Sequence, residues 1–316
     1  MNMSFFFPAH ATGSPRALGA AAAVALLATF ALPVAAQPPG TGLQSFFSIT
    51  PVYQGKAQLE GGGEYGAFGT ILRAGLSTGF GSGHRVGLSF NYDYSNNSFE
   101  EPTPFLGGRA PWGDVKRYGV AAPLIVNLGD GWGLSAVPSV DWIRENGAGE
   151  GDSLNWGGIV SMNRVFAGGN RIGFGVGAFR RIDDTGVFPL VLVDWRLSER
   201  WRLVNPLPAG PTGPAGLELD YRFDSDWNLG FGAAWRTTRF RLSSSGPVPN
   251  GIGEERAVPV FLRATRSIDP GITLNLYAGV LLAGELRGED PTGRLPERAV
   301  EFDPAPLLAA TVTARF

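Results

Sequence analysis

Residues 272–282 read ITLNLYAGVLL, and their side chains alternate between two faces. Every even-numbered position in this stretch is apolar, whereas Thr273 and Asn275 lie among the odd-numbered positions. A period of two residues is that of a β-strand with one face against an apolar environment. The same alternation recurs along 171–182 and 215–224. After residue 40, Gly and Pro recur too often for a helix of about 12 residues, so the sequence predicts an all-β chain.

The alternating segments are regular enough to count. There are about fourteen: 44–57, 65–79, 84–95, 114–128, 132–143, 153–166, 171–182, 187–198, 201–205, 215–224, 227–242, 257–268, 271–285 and 304–316. Short and longer connections alternate between them, which is typical of an outer-membrane barrel with short periplasmic turns and longer extracellular loops. We therefore predict a closed antiparallel transmembrane β-barrel of about fourteen strands. Segment 201–205 is short and 205–216 is rich in Pro and Gly, so twelve strands is an alternative.

Composition excludes several classes of protein. The 316 residues include no Cys, which excludes disulfides, thiolate metal sites and cysteine nucleophiles. The net charge of −2 excludes a broad nucleic-acid-binding surface, which would need to be basic. The 46 Gly follow no Gly-X-Y period, which excludes collagen.

The first 36 residues have the pattern of an export signal. Arg16 is the only full charge, Ala17 to Leu32 is apolar or small, and Val34-Ala35-Ala36 follows a proline. The apolar stretch is shorter than the roughly 20 residues that a membrane anchor needs. We therefore predict a signal peptide at 1–36 that directs the chain to the bacterial outer membrane. A short N-terminal lead at 37–43 and a single barrel domain at 44–316 follow it.

Aromatic residues mark the ends of the predicted strands. Trp132, Trp201 and Trp227 each begin a segment directly after a short turn. We predict that they form an aromatic girdle, with the indole N–H groups at the lipid headgroups. The chain ends in a strand whose last residue is the aromatic Phe316.

Charged residues of the strands are expected to face the lumen, because Arg or Lys facing lipid at mid-membrane costs about 2–4 kcal/mol. The alternation places twelve of them inward: Arg73, Asp93, Arg117, Asp141, Asp194, Arg196, Glu218, Asp220, Arg222, Arg236, Arg263 and Arg315. Seven Arg against five acids predicts a slightly basic wall and, in an open lumen, mild anion selectivity.

A few positions depart from this alternation. Arg164, Arg180 and Arg266 fall on the outward face, near strand ends where long side chains can reach the headgroups. Phe240 has the opposite parity to Trp235, so we expect a β-bulge near Thr237-Thr238.

Four stretches resemble an uncharacterised family of Gram-negative outer-membrane barrels, catalogued as a domain of unknown function. They are 201–221 (WRLVNPLPAGPTGPAGLELDY), 253–262 (GEERAVPVFL), 276–286 (LYAGVLLAGEL) and 303–316 (DPAPLLAATVTARF). The resemblance covers nearly the whole chain after the signal and implies no catalytic residue. In barrel families the last strand and its terminal aromatic are read by the assembly machinery, which implies an insertion signal at Phe316.

Candidate catalytic motifs lack the context that they need. Gly75-Leu-Ser77-Thr-Gly79 matches a nucleophile elbow, but no helix follows it. Gly61-Gly-Gly63-Glu-Tyr-Gly66 matches a dinucleotide fingerprint, again without a helix. His84 is the only His after the signal and lies at a short turn. We therefore predict no enzyme activity and no cofactor.

The expected function is passive passage of small solutes through the lumen. One alternative is a plugged structural or surface-interaction barrel without transport. The other is a lipid-acting barrel enzyme, which the position of His84 argues against. Expected partners are outer-membrane lipids, lipopolysaccharide, small solutes and the barrel-assembly machinery, but no nucleic acid. Sixteen acids in the longer loops form either a solvated surface or a site for Ca²⁺ or Mg²⁺ that bridges to lipopolysaccharide.

Overall fold

The computed structural model describes residues 42–205, 207, 210–290, 292 and 298–316, and the predicted signal lies outside them. The described chain is almost entirely extended. Its strands are β1 (Leu43–Gln58), β2 (Glu64–Phe80), β3 (His84–Glu100), β4 (Val115–Ala121), β5 (Leu124–Gly129), β6 (Trp132–Glu145), β7 (Leu154–Val165), β8 (Arg171–Arg181), β9 (Asp184–Arg196), β10 (Trp201–Asn205), β11 (Ala215–Arg222), β12 (Trp227–Arg241), β13 (Ile252–Asp269), β14 (Ile272–Glu289), β15 (Arg298–Phe302) and β16 (Ala305–Arg315). No described helix is long and apolar enough to cross a membrane.

These strands form fourteen barrel strands. β4 and β5 both pair with β3 and β6 and are separated only by Ala122-Pro123. β15 and β16 both pair with β14 and are separated by Asp303-Pro304. Proline has no N–H for the ladder, which explains both interruptions. β1 pairs with β2 and β16 and closes the ring.

The closed antiparallel barrel of fourteen strands is thus confirmed, and the twelve-strand alternative is wrong. The short strand β10 pairs along both edges, with β9 and with β11. Short turns at 81–83, 130–131, 166–170, 197–200, 223–226 and 270–271 lie at one end, here called the turn end. The opposite end, here called the loop end, carries the longer connections and one two-residue turn at 182–183.

The outer face carries a belt of exposed apolar side chains. Phe174, Val187 and Leu262 are about 60% exposed, at 62%, 63% and 62%. The belt is bordered by Trp132 at the start of β6 and by Trp142 ten residues later. Ten residues rise about 33 Å along a strand, or roughly 25 Å at the usual tilt, which is the height of a lipid-facing band. The molecule is therefore a transmembrane barrel.

The barrel narrows at the loop end. The last residue of β12, Arg241, forms a parallel bridge with Arg144 of β6. Since β7 to β11 do not take part, the ring there consists of nine barrel strands: β6, β4, β3, β2, β1, β15, β14, β13 and β12. We call the contact between β12 and β6 the crossing.

An apolar core fills the interior of this smaller ring. A ring of about eight strands has an interior just wide enough for side chains to fill. The core joins opposite walls, since Trp112 packs against Phe240 with ring centroids 5.2 Å apart. Its buried members are Ala57, Leu59, Tyr65, Phe105, Trp112, Val115, Phe240, Leu242, Ala257, Leu281, Leu286, Val300, Phe302, Ala305 and Leu307.

The core also explains the parity of Phe240. β12 and β13 keep one register from Trp227 to Arg241, so the bulge expected near Thr237-Thr238 is wrong. Phe240 has inward parity, and it is apolar because it enters the core. Register shifts lie elsewhere, for example at Gln54/Ala57 in the β1–β2 ladder and at Arg256/Val258 in the β13–β14 ladder.

Candidate functional site: the barrel interior

One charged wall of the interior is formed by β2, β3, β4 and β6. Arg73 donates to Asp93 through Nη1 and Nη2, the latter to Oδ2 at 3.0 Å. Arg117 Nε donates to Asp141 Oδ1 at 3.0 Å, and Asn91 Nδ2 donates to the same oxygen at 3.1 Å. Neighbouring strands thus present alternating cations and carboxylates, and Arg73 and Asp141 are 6% and 4% exposed.

The second charged wall lies on the other side of the interior, on β9, β10, β11 and β13. Glu218 is 1% exposed, and Arg263 Nε donates to its Oε2 at 3.0 Å. Asp220 lies 3.8 Å from an Arg263 nitrogen. Arg202 pairs with Asp194 through two hydrogen bonds.

Glycine makes room for the second wall. β12 passes between β11 and β13, and its Gly230 is paired with Asp220 and Arg263. A Cβ on Gly230 would lie 2.6 Å from the carboxyl of Glu218. The absence of a side chain there lets Glu218 and Arg263 meet across an intervening strand.

The remaining predicted residues divide into two groups. Arg236 lies inside, where its Nη2 donates to Glu255 Oε1 at 2.6 Å. Arg196, Arg222 and Arg315 are exposed and lie in strand ends at the turn end. Arg222 donates to the Glu199 carbonyl rather than to a carboxylate.

Two interior residues were missed by the sequence analysis. Arg202 follows an outward Trp201, so strict alternation places it inward, but its segment was doubted because of its length. Glu255 was assigned to a loop, whereas the structure places it in β13. The ion pairs of the described interior join Arg73, Arg117, Arg202, Arg236 and Arg263 to Asp93, Asp141, Asp194, Glu218, Asp220 and Glu255. Five minus six gives −1 for these paired groups, but Arg171 lies opposite Asp194 and Arg85 donates to the buried Ser77, so the slightly basic wall expected from seven Arg and five acids stays a prediction.

The described residues of the β10–β11 connection, 207 and 210–214, lie against the barrel interior. Leu207 is 1% exposed and packs with Phe261, Tyr277 and Ala234 on the interior wall. Residues 210, 211, 213 and 214 border an interior cavity of ≈ 190 Å³. The first charged wall and part of β12 form its other sides.

A further apolar cluster covers part of the interior of β4 and β6 to β9. The rings of Phe179 and Phe188 are stacked with centroids 6.1 Å apart. A Cβ on Gly177 would lie 2.3 Å from the Phe188 ring. The run of glycines in β8 therefore provides the space that these rings occupy.

The predicted girdle residues lie at the turn end, each as the first residue of its strand. The outward-facing Arg164 and Arg266 lie over Trp132 and Trp227, with centroid distances of 5.4 and 5.3 Å. The Trp201 ring lies 4.7 Å from that of Tyr221. Cation–π contact explains how both guanidinium groups tolerate an outward position.

A second aromatic row borders the belt towards the loop end. Trp142 stacks on Tyr118 of β4 with centroids 5.5 Å apart. Trp156 of β7 pairs across the strands with the outward-facing Arg180. This second row was not predicted from the sequence. The available signal was in β6, where Trp142 follows the inward Asp141 and lies ten residues after Trp132.

The terminal strand is paired to its end. Phe316 is 80% exposed, and its backbone exchanges two hydrogen bonds with Ser45, at 2.9 and 3.0 Å. The last residue is therefore anchored through its backbone and presents its ring outward.

The residues of the candidate catalytic motifs have structural roles in turns and strands. His84 Nδ1 accepts the Asn127 backbone N–H at 3.1 Å across two turns. Ser77 lies within β2 and accepts a hydrogen bond from Arg85 at 3.1 Å. Gly61, Gly62 and Gly63 have positive φ and form the tight β1–β2 connection.

Acidic residues near the loop end surround one arginine. Arg239 donates to Glu254 at 2.8 Å, Glu289 at 2.7 Å and Asp183 at 3.0 Å. Burial would raise the pKa of Glu289, but hydrogen bonding and the charge of Arg239 outweigh it and hold the pKa below its ordinary value. Among the described residues, no group of three or more His, Cys, Asp or Glu is arranged to hold a metal ion.

Comparisons with known proteins give similarity to solved membrane barrels. No protein-family model matches the chain, including the uncharacterised family expected above, and no curated protein matches it. The COG4313 outer membrane channel from Pseudomonas putida F1 is 14% identical (89% of this chain, 97% of that chain, TM-score 0.45). The toluene transporter TodX from Pseudomonas putida is 10% identical (87% and 89%, TM-score 0.43). The KdgM porin in complex with disordered oligogalacturonate is 11% identical (85% and 99%, TM-score 0.35).

With TM-scores below 0.5, these similarities assign neither a family nor a substrate. The class follows from the structure itself. A closed antiparallel ring, an apolar belt between aromatic rows and a charged interior define a β-barrel of the outer-membrane type.

Proposed function

We propose that the protein is an outer-membrane channel for passive passage of small solutes, closed at its loop end by the crossing. The observation that carries the proposal is the pair of charged walls inside a fourteen-strand ring. Barrels of about eight strands are filled by side chains, and a ring of fourteen strands is wider. Two charged walls also suit a water-filled route rather than an inert core.

The contacts that hold the crossing and the end of β12 in place are polar. Ser243 N donates to Glu145 Oε2 at 2.8 Å, and Arg241 Nε donates to the Asp152 carbonyl at 3.0 Å. Arg239 ties β12 to the β8–β9 turn through Asp183. These polar contacts lie beyond the apolar belt, where water can replace each of them.

Solute permeation tests the proposal. Proteoliposomes carrying wild-type protein, Arg239→Gln or Arg222→Gln are loaded with buffer and swollen in isosmotic arabinose. We expect Arg239→Gln to swell faster than wild type, because it loses three carboxylate contacts that hold the end of β12, next to the crossing, in place. Arg222→Gln is the matched control, since Arg222 lies at the turn end. Swelling of all three at the rate of empty liposomes contradicts the channel.

The filled loop end favours one second function, a structural or surface-interaction barrel. In that case lipopolysaccharide and neighbouring proteins would be its partners, and the crossing would be permanent. Absence of permeation in both wild type and Arg239→Gln favours this function. A lipid-acting enzyme has less support, because His84 is engaged by a backbone N–H at the turn end.

We also propose that Phe316 is read during assembly, since its ring is 80% exposed while its backbone is paired. Deletion of Phe316 is expected to lower the heat-modifiable fraction in outer membranes and to leave protein in the periplasm. Phe223→Ala, which removes an exposed aromatic ring next to a turn, is the control. Normal assembly of the deletion variant contradicts the role.

A further inference from the structure

The interior cavity of ≈ 190 Å³ is bordered by a glutamine whose buried amide donor has no hydrogen-bond partner. Gln54 of β1 is 4% exposed and borders the cavity. Its Oε1 accepts a hydrogen bond from Arg236 Nη2 at 3.0 Å, which fixes the orientation of the amide because arginine can only donate. Gln54 Nε2 has no hydrogen-bond partner. A buried donor left unpaired is costly, so a ligand oxygen there would be favoured.

The other residues that line the cavity favour a ligand without net charge. Arg73, Arg117 and Arg236 all reach the cavity, and each is already paired with a carboxylate. A charged ligand would disturb these pairs or be buried without a counter-ion, which is strongly unfavourable. The remaining sides include Val52 and Ile71, so the body of the ligand meets apolar surface.

The volume limits the size. An apolar cavity of about 150 Å³ holds benzene, so ≈ 190 Å³ holds a single ring with one small substituent. We propose that the cavity is a binding site for a neutral one-ring or similarly small apolar molecule carrying an acceptor oxygen, received by Gln54 Nε2. The inference rests on the proposed function, since it names the class of solute that pauses in the interior.

The test measures binding rather than transport. Purified barrel in lipid nanodiscs is titrated with 4-fluorobenzyl alcohol and with 4-fluorotoluene and followed by ¹⁹F NMR, with empty nanodiscs correcting for partition into lipid. The two probes share the ring and differ in the oxygen. Variants are Gln54→Leu, which removes the donor, and Ala67→Leu, which fills the cavity from β2. Gln58→Leu is the matched control, because Gln58 is exposed on the same strand outside the cavity.

We expect Gln54→Leu to weaken the binding of 4-fluorobenzyl alcohol by about two- to tenfold, the range of one neutral hydrogen bond. It should leave 4-fluorotoluene unchanged. Ala67→Leu should weaken both probes and Gln58→Leu neither. Equal effects of Gln54→Leu on the two probes, or tighter binding of 4-fluorobenzoate than of the alcohol, would overturn the proposal.

The outcomes also separate the site from the channel. If Gln54→Leu does not assemble, the binding of 4-fluorobenzyl alcohol is compared between wild type and Ala67→Leu. Equal binding by these two proteins overturns the proposed site. Permeation of arabinose without binding of either probe contradicts the site alone. Probe binding without any permeation contradicts the channel alone.

Discussion

Glu218 is 1% exposed, and its carboxylate is held by two guanidinium nitrogens of Arg263. Arg263→Gln leaves this carboxylate without its cation, and breaking a buried pair typically costs about 3–5 kcal/mol. We expect a correspondingly lower free energy of unfolding in denaturant titration of the detergent-folded barrel. The double variant Glu218→Gln/Arg263→Gln should recover part of the loss, since no charge is then left unpaired.

Arg222→Gln is the matched control for this prediction. Arg222 is exposed at the turn end and bonds only a backbone carbonyl, so its replacement should change the free energy of unfolding by no more than about 0.5 kcal/mol. Equal effects of Arg222→Gln and Arg263→Gln would contradict the importance of the buried pair.

At the residue scale, the alternation predicts which charged strand residues face inward, because a charged side chain that faces lipid is energetically costly. Arg73 and Glu218 could be placed inward from parity alone. Their partners could not, since pairing depends on the neighbouring strand and on its register. Glu218 reaches Arg263 across an intervening strand, through the space that Gly230 leaves free.

At the scale of elements, the glycines of β8 have a packing role that a variant can measure. Gly177→Ala places a Cβ 2.3 Å from the Phe188 ring, and overpacking of this kind costs about 1–3 kcal/mol. We expect a lower temperature of heat-induced unfolding in gel-shift assays. The double variant Gly177→Ala/Phe188→Leu should restore the unfolding temperature, because the smaller side chain relieves the overpacking. Gly133→Ala is the control, since a Cβ there would lie no closer than 3.4 Å to any neighbouring atom. No shift for Gly177→Ala would contradict this packing.

The end of β12 should respond to acid. The pKa of Glu289 is lowered, so its pair with Arg239 stabilises the folded barrel fully at pH values above the ordinary carboxyl pKa of 4.5. This stabilisation is lost as the pH falls through the lowered pKa. Asp183, Glu254, Arg256 and Arg287 also face this pair. We expect arabinose permeation to rise between pH 6 and pH 3.

Glu289→Gln separates this effect from general acid unfolding. The variant lacks the titrating group, so it should already be more permeable at pH 6 and change less on acidification. A pH profile identical to that of wild type would contradict a role for Glu289.

Strand positions within the membrane could be predicted well, but their loop-end extensions could not. β13 begins at Ile252 and β14 ends at Glu289, whereas the sequence placed these boundaries at 257 and 285. Beyond the apolar belt, outward positions carry charges such as Glu254 and inward positions carry core residues such as Leu286. The lipid-facing alternation is absent there, so the sequence resembles a loop.

At the scale of the whole molecule, the number of strands and the closure follow from pattern, but the narrowing does not. The crossing joins Arg144 and Arg241, residues far apart in sequence. Its core forms from the β3–β4 connection and strands on both sides of the ring. Whether the lumen is open or plugged therefore could not be predicted from the sequence.

The most direct test of the account locks the crossing. The chain has no Cys, so Arg144→Cys/Arg241→Cys introduces the only two thiols, on directly paired residues. Neighbouring strands lie about 4.8 Å apart, within the Cα separation that a disulfide spans. Arabinose permeation of proteoliposomes is measured after oxidation and again after reduction. If the crossing closes the channel, the oxidised variant permeates at the empty-liposome rate and recovers reversibly on reduction. Equal rates in both states, or no permeation in either, would contradict a closing role of the crossing.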